Sequence, residues 1–188
     1  IAGLIEENQL HSPIVLGHSM GGKVCLQLLN ENPGLIQKAI VVDIAPWRYP
    51  IHHREILDAL LAVDIQHIHS RKEAETILDE TIHDAGIKQF LLKNLYRKGD
   101  DQFTWRFNLN IINAQIEEVG EPTWPGEQIL TPVLFIKGEK SGYIDPFRMN
   151  EILQWYPNAE LINIPGAGHW VHAEQPQLLL EEVLSFLK

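Results

Sequence analysis

Pro13-Ile14-Val15-Leu16-Gly17-His18-Ser19-Met20-Gly21-Gly22-Lys23 is the stretch on which the reading of this chain turns. Residues 13–16 form a short apolar run that reads as a buried strand. Over 23–29, the pairs Val24/Leu28 and Cys25/Leu29 recur at i,i+4, the spacing of one helical face. The intervening G-x-S-x-G therefore falls on a strand-to-helix turn. Such a turn holds its central residue in a strained backbone conformation and exposes its side chain. Ser19 is thus the candidate nucleophile. Gly17 and Gly21 stand two residues to either side, where a Cβ is expected to crowd the turn. The following helix aims its first amides and its positive dipole end at the hydroxyl. The Met20 N–H is then placed to donate to an oxyanion.

Outward from this turn, the pattern is that of an α/β protein. Asn32-Pro33-Gly34 stops the first helix. Ala39-Ile40-Val41-Val42-Asp43-Ile44 reads as a continuous apolar strand with a carboxylate near its end. Strand, helix and strand at this spacing make a βαβ unit, so the two strands run parallel. Ser19 and Asp43 then share the sheet edge at which open α/β sheets bind ligands. The sheet pattern resumes with the buried run Pro132-Val133-Leu134-Phe135-Ile136. Asp145-Pro146 opens a helix that stops at Tyr156-Pro157. Leu161-Ile162-Asn163-Ile164 is a further strand, and it leads into Pro165-Gly166-Ala167-Gly168-His169-Trp170. A final helix starts near Pro176, with Leu179, Leu180, Val183, Leu184 and Leu187 on its apolar face.

Residues 45–128 break the alternation. Ser70 and Glu73 make a capping box that opens a helix toward Ile82. Asp84 caps another, with Ile87, Phe90, Leu91 and Leu95 on its apolar face. Phe103-Thr104-Trp105-Arg106-Phe107 is strand-like and follows the turn signal Gly99-Asp100. Asn108 opens a helix with Leu109, Ile112 and Ile116 inward. The expected organisation is a hydrolase-type core over 1–44 and 129–188, with 45–128 inserted as a helical cap over the active edge. Part of that insert is expected to line an acyl pocket.

Composition narrows the partners. The chain has 188 residues, of which 45% are hydrophobic and 21% charged, enough for a core of useful size. Its formal net charge of −10 argues against nucleic acid or an anionic membrane surface as the main partner. No apolar run is long enough to span a bilayer. The single cysteine, Cys25, lies on an apolar helical stripe and reads as a buried structural thiol. The chain begins at Ile1, and its first strand leads straight to the nucleophile turn, so it is expected to be the C-terminal part of a longer protein. The expected partner is a small-molecule substrate, and the expected location is cytoplasmic.

A serine hydroxyl is a weak nucleophile at neutral pH and needs a base and an orienting carboxylate. Among nine histidines, His169 is the best base: it sits in a Gly-rich loop just past a sheet strand, on the same edge as Ser19. Three carboxylates lie near strand ends. Asp145 has a structural task as a helix cap, and Glu139 follows Gly138 too closely to reach around. Asp43 lies in an apolar setting where a carboxylate needs a partner, and it is preferred. All three preserve the chain order serine, acid, histidine. His18 is expected to pack or hydrogen-bond near the turn and is a candidate substrate contact. Arg106 reads first as a structural arginine; the alternative makes Trp105 and Arg106 candidates for holding a substrate carboxylate or phosphate. His172 is expected to cap the last helix. His52-His53 and His67-x-His69 lack the spacing of a metal site, so neither metal nor cofactor is expected.

Gly17-His18-Ser19-Met20-Gly21-Gly22-Lys23, Val42-Asp43-Ile44-Ala45-Pro46, Phe90-Leu91-Leu92-Lys93-Asn94, Trp105-Arg106-Phe107-Asn108 and the run from Gly166 to Glu174 together resemble α/β-hydrolases. The likeness is closer to the bacterial YbfF-type acyl esterases and their mitochondrial relatives, and runs from residue 13 to the end. It implies a Ser-His-Asp hydrolase acting on acyl esters, with acyl-CoA thioesters within its range. In many members the acid follows the strand that here precedes Gly138-Glu139-Lys140-Ser141, at the position Ser141 occupies. In the YbfF-like group the acid comes one strand earlier, at the position of Asp43. The family's early strands and its His-Gly oxyanion loop are not in this sequence, so the implied activity is that of the full protein. The alternatives are a cofactor-free haloperoxidase or carbon–carbon hydrolase on the same triad, or a non-catalytic binding protein on a hydrolase fold.

Overall fold

The computed structural model describes residues 1–50, 54–99 and 102–188. In chain order the elements are α1 (Ala2–Glu7), β1 (Ile14–His18), α2 (Met20–Glu31), β2 (Lys38–Val42), α3 (Arg54–Ala62), α4 (Arg71–Asp79) and α5 (Ala85–Leu92). There follow β3 (Leu95–Lys98), β4 (Gln102–Trp105), α6 (Leu109–Ala114), α7 (Ile116–Gly120) and β5 (Val133–Gly138). The chain ends with α8 (Met149–Trp155), β6 (Ala159–Ile164), α9 (Val171–Glu174) and α10 (Pro176–Leu187). The chain divides into two compact units, residues 1–48 with 121–188, and residues 49–120.

The first unit holds a parallel sheet in the order β1-β2-β5-β6. Its two inner strands are the continuous apolar runs, as strands covered on both faces must be. Ala39, Val41, Val133, Phe135 and Ile136 are fully buried. β1 differs from the buried strand expected of it: Ile14 is 38% and Leu16 52% exposed. Among the described residues it pairs with β2 alone, and an edge strand keeps part of its faces open. The register Gly17↔Val41 and His18↔Val42 brings the ends of β1 and β2 level, so the residues just past them are neighbours.

Two helices face otherwise than their periodicity predicts. On α2 the buried apolar side chains are Cys25, Leu26, Leu28 and Leu29, while Val24 is 41% exposed. On α10, Leu178, Leu179, Val183 and Phe186 pack against Ile40, Val42, Leu134, Ile136 and Ile164. Leu180, Leu184 and Leu187, expected inward, are exposed. Three consecutive leucines, 178–180, allow more than one phase of the apolar stripe, and the sheet surface selects one. Cys25 is buried, which pushes its thiol up to about 11. In the folded protein at mildly alkaline pH, iodoacetamide is expected to leave Cys25 unmodified, while denaturant releases stoichiometric labelling; mass spectrometry reads both.

The second unit packs α3, α4, α5 and the antiparallel β3-β4 hairpin around Leu57, Leu60, Leu78, Leu95, Phe103 and Trp105. The helix starts follow their caps. The Glu73 N–H donates to Ser70 Oγ (3.2 Å), and the Glu73 carboxylate accepts from the His69 N–H (2.9 Å). The Ile87 N–H donates to Asp84 Oδ1 (2.8 Å). The helix ends differ. α4 stops at Asp79 rather than near Ile82. α5 stops at Leu92, buries Leu91 and Leu92, and turns Phe90 outward; Leu95 belongs to β3. The helix opened by Asn108 breaks at Gln115 into α6 and α7. α1 and α3 were not legible in the sequence pattern. His52, His53 and Asp100 lie outside the described residues.

Candidate active site

Ser19 sits between β1 and α2 at φ 54° and ψ −121°, a conformation that an L-residue adopts only when its surroundings impose it. Those surroundings are hydrogen-bonded on both sides. The Ser19 N–H donates to the Val42 carbonyl (2.8 Å), and the Ser19 carbonyl accepts from the N–H groups of Gly22 (2.8 Å) and Lys23 (3.2 Å). A Cβ at Gly17 would lie 2.1 Å from the Gly21 carbonyl oxygen, and one at Gly22 would lie 2.5 Å from Ile44. The close approach thus falls at Gly17 and Gly22. A Cβ at Gly21 would meet nothing within 4 Å, contrary to the sequence expectation. Met20 is the first residue of α2, and its N–H has no intrahelical acceptor to satisfy.

His169 lies on the loop between β6 and α9. Its Nε2 is 3.1 Å from Ser19 Oγ, and its Nδ1 is 2.8 Å from Asp43 Oδ2. Because a carboxylate oxygen accepts, Nδ1 carries the proton and Nε2 presents a lone pair to the serine hydroxyl. Asp43 follows β2 directly, at φ 52°, and is wholly buried. Its Oδ1 accepts from the Gly138 N–H (3.0 Å), and its Oδ2 accepts from both Ser141 Oγ and His169 Nδ1. A buried carboxylate with these donors is satisfied rather than stranded. The other two candidate acids are occupied elsewhere. Glu139 Oε2 accepts from the Gly166 N–H (2.7 Å), and Asp145 Oδ1 accepts from the Phe147 N–H (3.0 Å) as a cap. Asp145→Ala is therefore expected to cost about 0.5–1 kcal/mol in chemical denaturation and to leave ester turnover unchanged.

Four supporting groups carried no role in the sequence reading. Ser141 stands at the position of the more usual acid and donates to the Asp43 carboxylate, and that coincidence was the available signal. Lys137 is buried and gives its ammonium to the carbonyls of Gly138 (2.8 Å), Glu139 (3.1 Å) and Ser141 (2.8 Å), pinning the loop that approaches Asp43. A lysine ending an apolar strand was its only mark. Glu174 accepts from the N–H groups of Gly168 (2.9 Å) and Trp170 (3.2 Å), one on each side of the histidine. Tyr143 stacks on the His169 ring with centroids 4.2 Å apart.

His18 ends β1. Its Nε2 meets the His169 carbonyl oxygen at 2.7 Å, and its ring lies 4.7 Å from that of His169 and 4.9 Å from that of His172. Burial, chiefly, lowers its pKa from the usual 6.5. His172 lies within α9 and packs its ring on His18 and Trp170; it does not cap α10, whose N-cap is Gln175. Trp105 and Arg106 belong to the 49–120 unit. There they line a cavity of about 780 Å³ together with Leu60, Val63, Asp64 and Phe107. The Arg106 guanidinium lies 5.2 Å from the Tyr96 ring centroid. Among the described residues, no three His, Cys, Asp or Glu side chains gather as a metal site, and no helix is long and apolar enough to cross a membrane.

Comparison with known proteins adds an independent line. Residues 1–182 match the model of an alpha/beta hydrolase family. The chain is 35% identical over 193 residues to the mouse (Mus musculus) sn-1-specific diacylglycerol lipase ABHD11, a match that takes in 100% of this chain and 62% of that protein. It is 33% identical over 188 residues to the esterase YbfF of Escherichia coli (strain K12), covering 97% of this chain and 70% of that one. Among solved structures, a marine microorganism esterase superposes with a TM-score of 0.92 at 37% identity, over 98% of this chain and 73% of that one. The chain thus spans less than two thirds of the length of the mouse relative.

Proposed function

Because the chain belongs to the alpha/beta hydrolase family, we propose that it carries the catalytic serine, acid and base of a carboxylic ester hydrolase. The observation that supports this is the unbroken run of hydrogen bonds from Asp43 through His169 to Ser19 Oγ. His169 Nε2 takes the hydroxyl proton as Ser19 Oγ attacks the acyl carbonyl. The Met20 N–H donates to the oxyanion that forms. His169 then returns the proton to the leaving alcohol or thiol, which departs and leaves an acyl-serine. A water molecule, deprotonated by the same nitrogen, attacks this acyl-enzyme; the acid is released and Ser19 recovers its proton. Asp43 stays ionised throughout and steadies the imidazolium.

The substrate class is acyl esters, with acyl-CoA thioesters inside it because the same tetrahedral chemistry serves both. Within the 49–120 unit, Trp105 and Arg106 line a cavity of their own, and the Arg106 guanidinium is of the kind that binds a carboxylate or phosphate. A fluorophosphonate probe tests the nucleophile directly in the full-length protein. The expected result is a single adduct on Ser19, absent from Ser19→Ala. No adduct, or one on another residue, rejects the assignment. Nitrophenyl esters of increasing chain length assayed beside acyl-CoAs then define the range. Acid release from acyl-CoAs at less than about a hundredth of the ester rate would remove thioesters from it.

A further inference from the structure

We infer that His18 is a positioning residue for the proposed base: it holds the main-chain carbonyl of His169 and so ties the histidine loop to the strand that delivers the nucleophile. The inference rests on the reading of Ser19 and His169 as nucleophile and base.

The two residues are 151 positions apart in sequence, yet His18 Nε2 and the His169 carbonyl oxygen are 2.7 Å apart. A carbonyl oxygen only accepts, so Nε2 must donate. That fixes the tautomer of neutral His18, with the proton on Nε2 and Nδ1 bare. His18 is also the residue immediately before Ser19, at the end of β1. One rigid strand end therefore supplies the nucleophile and also grips the backbone of its base. The loop is held from its other side as well, since Glu174 accepts the N–H groups of Gly168 and Trp170. Together, the carboxylate takes the amides flanking His169 while His18 takes the His169 carbonyl. Without His18 that carbonyl loses its tie to β1, and the 3.1 Å approach of Nε2 to Ser19 Oγ rests on the bonds to Asp43 and Glu174, neither of which is on the strand that carries Ser19.

Electrostatics favours a histidine that stays neutral here. His18 packs against His169 and His172, and Asp43 also acts on it; burial outweighs the rest and disfavours its charged form. A neutral ring 4.7 Å from His169 adds no repulsion when the base becomes an imidazolium.

The test uses the full-length protein with His18→Leu, which removes the donor, and His18→Gln, whose terminal amide reaches a similar distance and donates. Misplacing a reacting group by around an ångström costs up to about 10²-fold, so His18→Leu is expected to lower kcat by about 10- to 100-fold with KM within about twofold. His18→Gln should recover most of that loss. Wild-type kcat in His18→Leu, or equal impairment in both variants, overturns the inference. Ser19→Ala is assayed alongside: its inactivity beside wild-type kcat in His18→Leu defeats this inference alone, whereas activity in Ser19→Ala removes the premise. Nitrogen-15 spectra of the unmutated protein near neutral pH provide a check that needs no variant to fold. They should show His18 protonated on Nε2 and bare on Nδ1, and the opposite tautomer refutes the bond.

Discussion

Ser19→Ala is expected to lower ester turnover by about 10³-fold or more while leaving the fold intact. Among the described residues the hydroxyl makes no hydrogen bond beyond its contact with His169 Nε2. The turn itself is held by main-chain bonds from the Ser19 N–H and to its carbonyl, which alanine keeps. The φ of 54° is as uncomfortable for alanine as for serine, so stability should shift little. Loss of rate with an unchanged denaturation midpoint would separate chemistry from folding. Steady-state kinetics on a nitrophenyl ester, with denaturation followed by circular dichroism, reads both quantities. Near-wild-type hydrolysis by the variant would sink the nucleophile assignment.

Asp43→Asn should be equally severe, with a loss in kcat of about 10⁴ if the residue behaves as the acid of a serine triad does. The physical cause is a mismatch of donors. The Asp43 carboxylate accepts from Gly138, Ser141 and His169. An asparagine offers one accepting oxygen and one donating nitrogen, so at least one of those donors must face another donor. Where the conflict falls on His169 Nδ1, the imidazole adopts the other tautomer and Nε2 no longer accepts from Ser19. The side chain is buried, so an unsatisfied donor there should also cost about 1–3 kcal/mol of stability. The diagnostic comparison is with Asp145→Asn. If that change proves the damaging one and Asp43→Asn stays within about tenfold of wild type, the acid has been misassigned.

The family and the α/β fold were legible from short stretches whose physics is local. The apolar runs at 39–44 and 132–136 read as buried strands, and they overlap β2 (Lys38–Val42) and β5 (Val133–Gly138). Ser70, Asp84, Asn108 and Asp145 each cap the turn that follows, because a cap depends on residues three or fewer positions away. Helix phase was less legible. Val24 and Leu180 lie in apolar stretches that admit more than one buried face, and the choice was made by the neighbouring sheet. β3 was hidden because Leu95 continues a helical spacing from Leu91, and only pairing with β4 turns Leu95–Lys98 into a strand.

The sequence by itself determined the residue types and the order of the candidate site: a serine on a strand-to-helix turn, an aspartate just past the next strand and a histidine in a late glycine-rich loop. These follow from backbone preferences acting over a few residues. Tertiary structure alone decided what surrounds them. Ser141 meets Asp43 across 98 positions of chain, and His18 meets the His169 carbonyl across 151. Contacts at that separation leave no periodic trace, because they depend on strand register and on which loops a sheet edge brings together. A hydrogen bond between distant residues constrains two side chains in space, whereas a sequence pattern constrains only neighbours along the chain.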